Sequence, residues 1–291
     1  MARGRYDTHV PDAVERVGRK LKMEYVGMAS VFTTLYFLAF SGLPTVLESA
    51  TATAGTVFLF LGLKRKTRDH LCASFLLFAA GALAHAGVVL ERWSLPYMLF
   101  GMCVWAMEGY FEEHRSRIFA LPAVLGAFAA ASPAWILGVA FVVPYVVGPG
   151  PQDPGQRRRL RVMVGLSALA AVAVAAIQVW RGSHAMPVLQ PPGGVTLALY
   201  AAMALATGGC LALYWKKLTA RHRLNAPVLG VLAAFDRRVV ALFGMAAVVV
   251  LAATIFERSI DSDRWRPLFK KAEWYFFWVV LATAVGLALS A

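Results

Sequence analysis

The sequence predicts an all-α fold: a polytopic integral membrane helix bundle of about ten spans, with a range of nine to eleven. Three observations carry that prediction. The chain is 59% hydrophobic, and only 15% of its residues are charged, where a soluble domain carries about a quarter. Several apolar runs, clearest at 71–90, 162–180, 195–214, 239–256 and 274–290, approach or exceed the roughly 18 residues expected of a membrane-spanning helix. The basic residues, which give a net charge of +13, fall in short clusters between those runs, as the positive-inside rule requires.

The elements follow in chain order. Residues 1–23 form a basic N-terminal segment, expected in the cytoplasm, in which 11–23 reads as an amphipathic helix. Val14, Val17 and Leu21 share a face, and Arg16, Arg19, Lys20 and Lys22 cover the others. Such a helix suits the headgroup layer. These residues lack the apolar core of a cleavable signal peptide. Residues 24–291 are expected to form a single transmembrane domain. A span at 25–43 is followed by a turn at Pro44 and a weaker, Thr-rich span at 46–63. The loop KRKTRDH, 64–70, is strongly basic, and spans at 71–90 and 95–111 follow it.

The apolar stretch 118–147 is too long for one crossing of about 20 residues, and SPAW interrupts it at 132–135. The loop that follows, with Arg157, Arg158, Arg159 and Arg161, is basic and expected inside, and the loop at 112–117 lies on the same side if the N-terminus is cytoplasmic, so a broken pair, 118–131 and 134–148, is expected around Pro133. It would cross twice or enter and return. Beyond the cluster Arg157, Arg158, Arg159 and Arg161, spans at 162–180 and 195–214 flank a Pro-rich outer loop. The short apolar piece 227–235 either lies at the interface or crosses as a half-helix broken near Asp236. The span 239–256 comes next. Five basic residues at 257–273 conflict with an outside placement of that segment unless the short piece crosses.

Charge at this level excludes little beyond nucleic acid, which is not an expected partner. Anionic lipid headgroups are the natural partners of the basic loops, together with partner membrane subunits. No segment is long enough for a soluble catalytic domain, and no phosphate-binding G-x-x-x-x-G-K-[ST] loop is present. Cys72, Cys103 and Cys210 all lie in apolar spans without metal-ligand spacing. No metal or cofactor is expected. Composition suggests a GC-rich, bacterial source and an inner-membrane location.

Candidate functional residues are the ionisable groups near or within spans, because burying them is costly without a partner or a role. They are Glu48, His85, Glu108, Glu112, Glu113, His114 and Arg117. Glu48 opens the Thr-rich span, near the outer surface. His85 sits on an Ala/Gly face and is expected to pack there, since no second axial ligand for a haem is apparent at its depth. Glu108 lies a turn deeper than Glu112. The hexapeptide EEHRSR fits E-E-x-x-x-R through Glu112, Glu113 and Arg117. In this it resembles the CAAX-processing type of intramembrane protease, which implies hydrolysis by a glutamate and two histidines. The family's second motif is approached by WRGSH, with Trp180 for Phe and His184 in place. The third is approached by HRLN, where His222 and Asn225 stand one residue too close. A missing residue turns a side chain by about 100° on a helix, and His184 is expected on the opposite side from Glu112 and His222. The charged end of a membrane helix accounts for the same hexapeptide, with Glu113 and Arg117 at pairing distance.

A transporter or permease-like role is the first expectation, from the number of spans and the broken helices. A non-catalytic integral subunit of a larger membrane complex is the second, because intramembrane polar groups are few. A membrane-embedded enzyme acting on lipid or prenyl-linked substrates is the third, with Glu108, Glu112, Glu113 and His114 at headgroup level.

Overall fold

The computed structural model describes residues 40, 43–67, 70–91, 93–111, 115–147, 153–181 and 189–259. The expected spans at 25–43 and 274–290, the N-terminal amphipathic helix and the segment 260–273 lie outside them, apart from Phe40 and Leu43. Among the described residues the elements are helices: α1 Val46–Thr67, α2 His70–Glu91, α3 Ser94–Phe111, a 3-10 turn Arg115–Ala120, α4 Leu121–Ala131, α5 Trp135–Val142, α6 Pro144–Val147, α7 Pro154–Trp180, α8 Gly194–Tyr214, α9 Ala220–Phe235 and α10 Arg237–Ser259. Four of these, Val46–Lys64, Pro154–Trp180, Gly194–Tyr214 and Arg237–Thr254, are long and apolar enough to cross a membrane.

The centre of the bundle is α10. Every residue from Val239 to Val250 is buried, and the helix packs against α1, α2, α3, α8 and α9. A helix apolar on all faces needs such a position, since any exposed face would lack protein cover. Conversely, α7 and α8 bury only narrow stripes. On α7 these are Leu160, Val164, Ser167, Ala171 and Ala175, at the three-to-four-residue spacing of a single helix face. Beyond its arginine-rich first turns, the rest of α7 is largely apolar and exposed, including Val162, Leu166, Leu169, Val172 and Ile177. In water that surface would be a liability; against lipid it is the expected exterior.

The bundle has two distinct ends. At one, Tyr110 Oη donates to Gln156 O at 2.8 Å, and the Arg159 guanidinium lies 6.0 Å from the Phe119 ring. Lys66 there reaches both Glu108 and His222. This is the basic end, where the last turns of α1 and α3 meet the first turns of α7 and α9. At the other, Arg237 N donates to Gln190 O at 2.7 Å, and Arg238 sits over Trp93. Hence α9 runs from the basic end to the opposite one, and α10 returns. Near the end of α10, Val250 and Ala253 pack with Leu211, Leu218 and Ala226. The short piece 227–235 is therefore the second half of a 16-residue helix, in which Pro227 removes one backbone donor without ending the helix. The described part of α10 ends at Ser259, on the side of the basic end.

The broken segment is a helical hairpin of short helices. The 11 residues of α4 rise about 16 Å, well short of a hydrocarbon layer of about 30 Å. Ser132–Ala134 turn the chain, with Ala134 N donating to Ser132 Oγ at 3.2 Å. Then α5 and α6 run back, and Gly138 faces Leu125 and Phe128. Phe141 stacks near Phe100 at 5.0 Å. Tyr145, one turn on, reaches Glu108 at the basic end.

Parallel helices α1 and α3 cross in backbone contact. A Cβ on Gly101 would lie 2.6 Å from Gly55 O, and one on Gly55 would lie 2.8 Å from Met98 Cα. The close approach needs glycine on both sides. It also aligns the last turns of α1 and α3.

Candidate functional site

The site assembles at those aligned turns. The apolar run of α1 ends at Leu63, but the helix continues to Thr67. Its inward stripe, Leu59, Leu63 and then Lys66 and Thr67, stays buried throughout. Lys66 is therefore a helical, buried residue, not part of a solvated basic loop. Its exposure is 5%, and that of Glu108 is 1%. On α9, His222, Asn225, Ala226, Leu229, Gly230 and Ala233 form the buried face, which turns His222 and Asn225 toward the same place.

Lys66 Nζ donates to Glu108 Oε2 at 2.5 Å and lies 2.7 Å from His222 Nε2. An ammonium only donates, so Nε2 must offer its lone pair. The ring proton then sits on Nδ1 and donates to Thr219 Oγ1 at 2.9 Å. His222 in this arrangement is neutral. Its distance of 3.6 Å from Glu108 Oε1 is too long for a hydrogen bond. Tyr145 Oη donates to that oxygen at 2.5 Å, and Asn225 is buried on the same face of α9 as His222. Four helical segments thus contribute one charged pair and its two polar supports. Arg221 completes the group: its guanidinium lies 3.9 Å from the Phe111 ring centroid and 5.5 Å from that of Tyr145.

Taking a carboxylate and an ammonium out of water costs several kcal/mol per ion, at an order-of-magnitude level. Only tight geometry and further hydrogen bonds offset this, and Tyr145 and His222 supply them. The arrangement holds a charge pair in a closed apolar surround, with a neutral imidazole as a second acceptor for the same ammonium. Protonating Glu108 would release Lys66 toward His222, so the cluster can store and exchange one proton.

Of the residues singled out from sequence, Glu108 is central to this site. Glu112, Glu113, His114 and His184 lie outside the described residues. Arg117 is half-buried, with its guanidinium 4.3 Å from the Trp105 ring centroid and its side chain against Gly109. Glu48 belongs to a helix cap formed by Thr45: Thr45 Oγ1 accepts from Glu48 N at 3.1 Å and donates to Glu48 Oε2 at 3.0 Å, a local variant of the capping box. His85, expected to pack, is instead exposed on α2. The buried stripe of that helix, Ala73, Leu76, Leu77, Ala80, Leu83, Ala84 and Val88, faces elsewhere. Sequence reasoning missed Lys66, Tyr145 and Arg221 as site members, and knew His222 and Asn225 only as a defective motif. The signal for Lys66 was its place on the Leu59–Leu63 stripe; for His222 it was the spacing to Ala226, Leu229 and Ala233.

Among the described residues no group of three or more His, Cys, Asp or Glu gathers as a metal site would require. No family model matches the chain, nor does any curated protein or solved structure.

Proposed function

We propose that the chain is a multi-pass, permease-like membrane protein in which Glu108 carries the coupling proton. The buried network of Lys66, Glu108, Tyr145 and His222 carries this reading. Ionisable groups inside a membrane bundle mark proton and substrate pathways more often than they add stability. The network also ties together elements that could move: Tyr145 ends the helical hairpin, and His222 opens α9, which breaks at Asp236. Broken helices beside a polar site are a recurring transporter device.

The lipid-directed enzyme is the second reading, favoured by the position of the cluster at the basic end, near the expected headgroup level. It is weaker because a general base needs a free lone pair aimed at water. Lys66 and Tyr145 occupy both oxygens of Glu108, and Lys66 occupies the lone pair of His222.

The test is charge displacement on a solid-supported membrane. Purified protein in liposomes is stepped from pH 7 to pH 3 without substrate, because Lys66 and Tyr145 both donate to the ionised Glu108 carboxylate and oppose its protonation. Protonation of a site within the bundle should give a transient current, absent from empty liposomes and from Glu108→Gln. A transient unchanged in folded Glu108→Gln sinks the proposal.

A further inference from the structure

We infer that Arg221 and Asn225 form an anion-binding site beside the ion pair, suited to a small carboxylate whose neighbouring group donates a hydrogen bond. The inference rests on the permease reading only in making that anion the cargo.

Charge is the first support. Within the cluster Lys66 and Glu108 cancel, while His222 and Tyr145 are neutral. Arg221 is left as one positive charge in excess. Glu108 is the one buried acid at this end among the described residues. It is near enough to feel Arg221 but forms its ion pair with Lys66.

Hydrogen bonding is the second. Arg221 makes no hydrogen bond to any described residue, and its Nε is buried. Its guanidinium is held by ring faces, Phe111 and Tyr145. That contact fixes the plane and leaves the edge donors for a planar, two-oxygen acceptor. Arg221 as a whole is half-buried, but a buried N–H without an acceptor is costly, so the arrangement calls for an anion.

Asn225 is the third. It is 4% exposed, and its Oδ1 accepts from no described group. Arg221 and Asn225 are four residues apart on one face of α9, which places their Cβ atoms about 5–6 Å apart. A donor one or two bonds from the carboxylate, such as an α-hydroxyl, spans that gap. Near Arg221, α9 begins with no side-chain cap on its first amides, because the Thr219 hydroxyl is engaged by His222. The positive end of the helix adds to the same field.

The probes are sodium lactate, sodium acetate and inorganic phosphate, with choline chloride as the control. Binding is read by thermal melting of the full chain in phosphatidylcholine nanodiscs at low ionic strength. Lactate should stabilise saturably and bind about fivefold tighter than acetate, the equivalent of one ordinary net hydrogen bond. Asn225→Leu should erase that preference. Arg221→Gln should abolish binding by all three anions; Arg221→Lys keeps the charge without the fork and should bind at least tenfold more weakly. Size-exclusion elution and helical dichroism establish that each variant is folded. Nanodiscs with added phosphatidylglycerol separate the sources. Stabilisation by that lipid alone, dependent on Arg221, supports the site with a headgroup as occupant and overturns the cargo role. Binding that persists in folded Arg221→Gln, or no saturable binding by any probe or lipid, overturns the site. A Glu108-dependent pH transient surviving such a negative result leaves the proton reading standing. Anion binding without the transient leaves the site and removes the proton.

Discussion

Removing Lys66 alone should harm the protein more than removing Lys66 and Glu108 together. Lys66→Met deletes the ammonium 2.5 Å from Glu108 Oε2 and leaves a carboxylate that is 1% exposed. Breaking a buried pair from one side costs about 3–5 kcal/mol. Here Glu108 keeps the hydrogen bond from Tyr145 and the nearby charge of Arg221, so the lower end, about 3 kcal/mol, applies. The reverse change, Glu108→Met, leaves Lys66 and Arg221 as two cations with no buried acid between them, so about 5 kcal/mol is expected. Removing both members replaces the pair by two thioethers of similar length, a kind of exchange that is often neutral. Lys66→Met with Glu108→Met should therefore recover most of the single loss and end about 1–2 kcal/mol below the native chain, the remainder being the orphaned Tyr145 hydroxyl. The assay is equilibrium unfolding in mixed detergent micelles, followed by helical dichroism, for all four corners of the cycle. A double variant less stable than both singles refutes the reasoning, because it would mean that the two charges are stabilised independently.

Two further outcomes follow from the packing. Gly101→Ala should cost about 1–3 kcal/mol in the same unfolding assay, since overpacking a tight core is destabilising, and its Cβ would meet Gly55 O at 2.6 Å. Gly62→Ala, whose Cβ meets Val104 at an ordinary 3.7 Å, should change stability by less than about 0.5 kcal/mol. In a cysteine-free background, single cysteines at positions 158 and 216 should label from one side of sealed vesicles, and one at position 190 from the other. Position 66 should resist labelling from both, and ready labelling there would contradict its burial.

Hydropathy by itself determined where the helices are. The runs 71–90, 95–111, 195–214 and 239–256 lie within helices α2, α3, α8 and α10, because a long apolar run in a membrane protein must satisfy its backbone internally and does so as a helix. The break at Pro133 was legible for a similarly local reason, and the one near Asp236 was an open alternative that the helix bounds resolve. Hydropathy failed at the helix ends. Lys66, Arg157, Arg159 and His222 were read as loop because they are polar, yet α1, α7 and α9 carry them as helix. A helix continues past its apolar run wherever neighbouring helices replace lipid as the surrounding medium, and no local pattern reports those neighbours. The pairing of Lys66 with Glu108 and His222 spans 42 and 156 residues of chain. The Gly55–Gly101 crossing and the return of the hairpin to Tyr145 bring those groups within hydrogen-bonding distance. Sequence marked Glu108 as a costly charge in need of a partner; the identity of that partner was a property of the packed bundle alone.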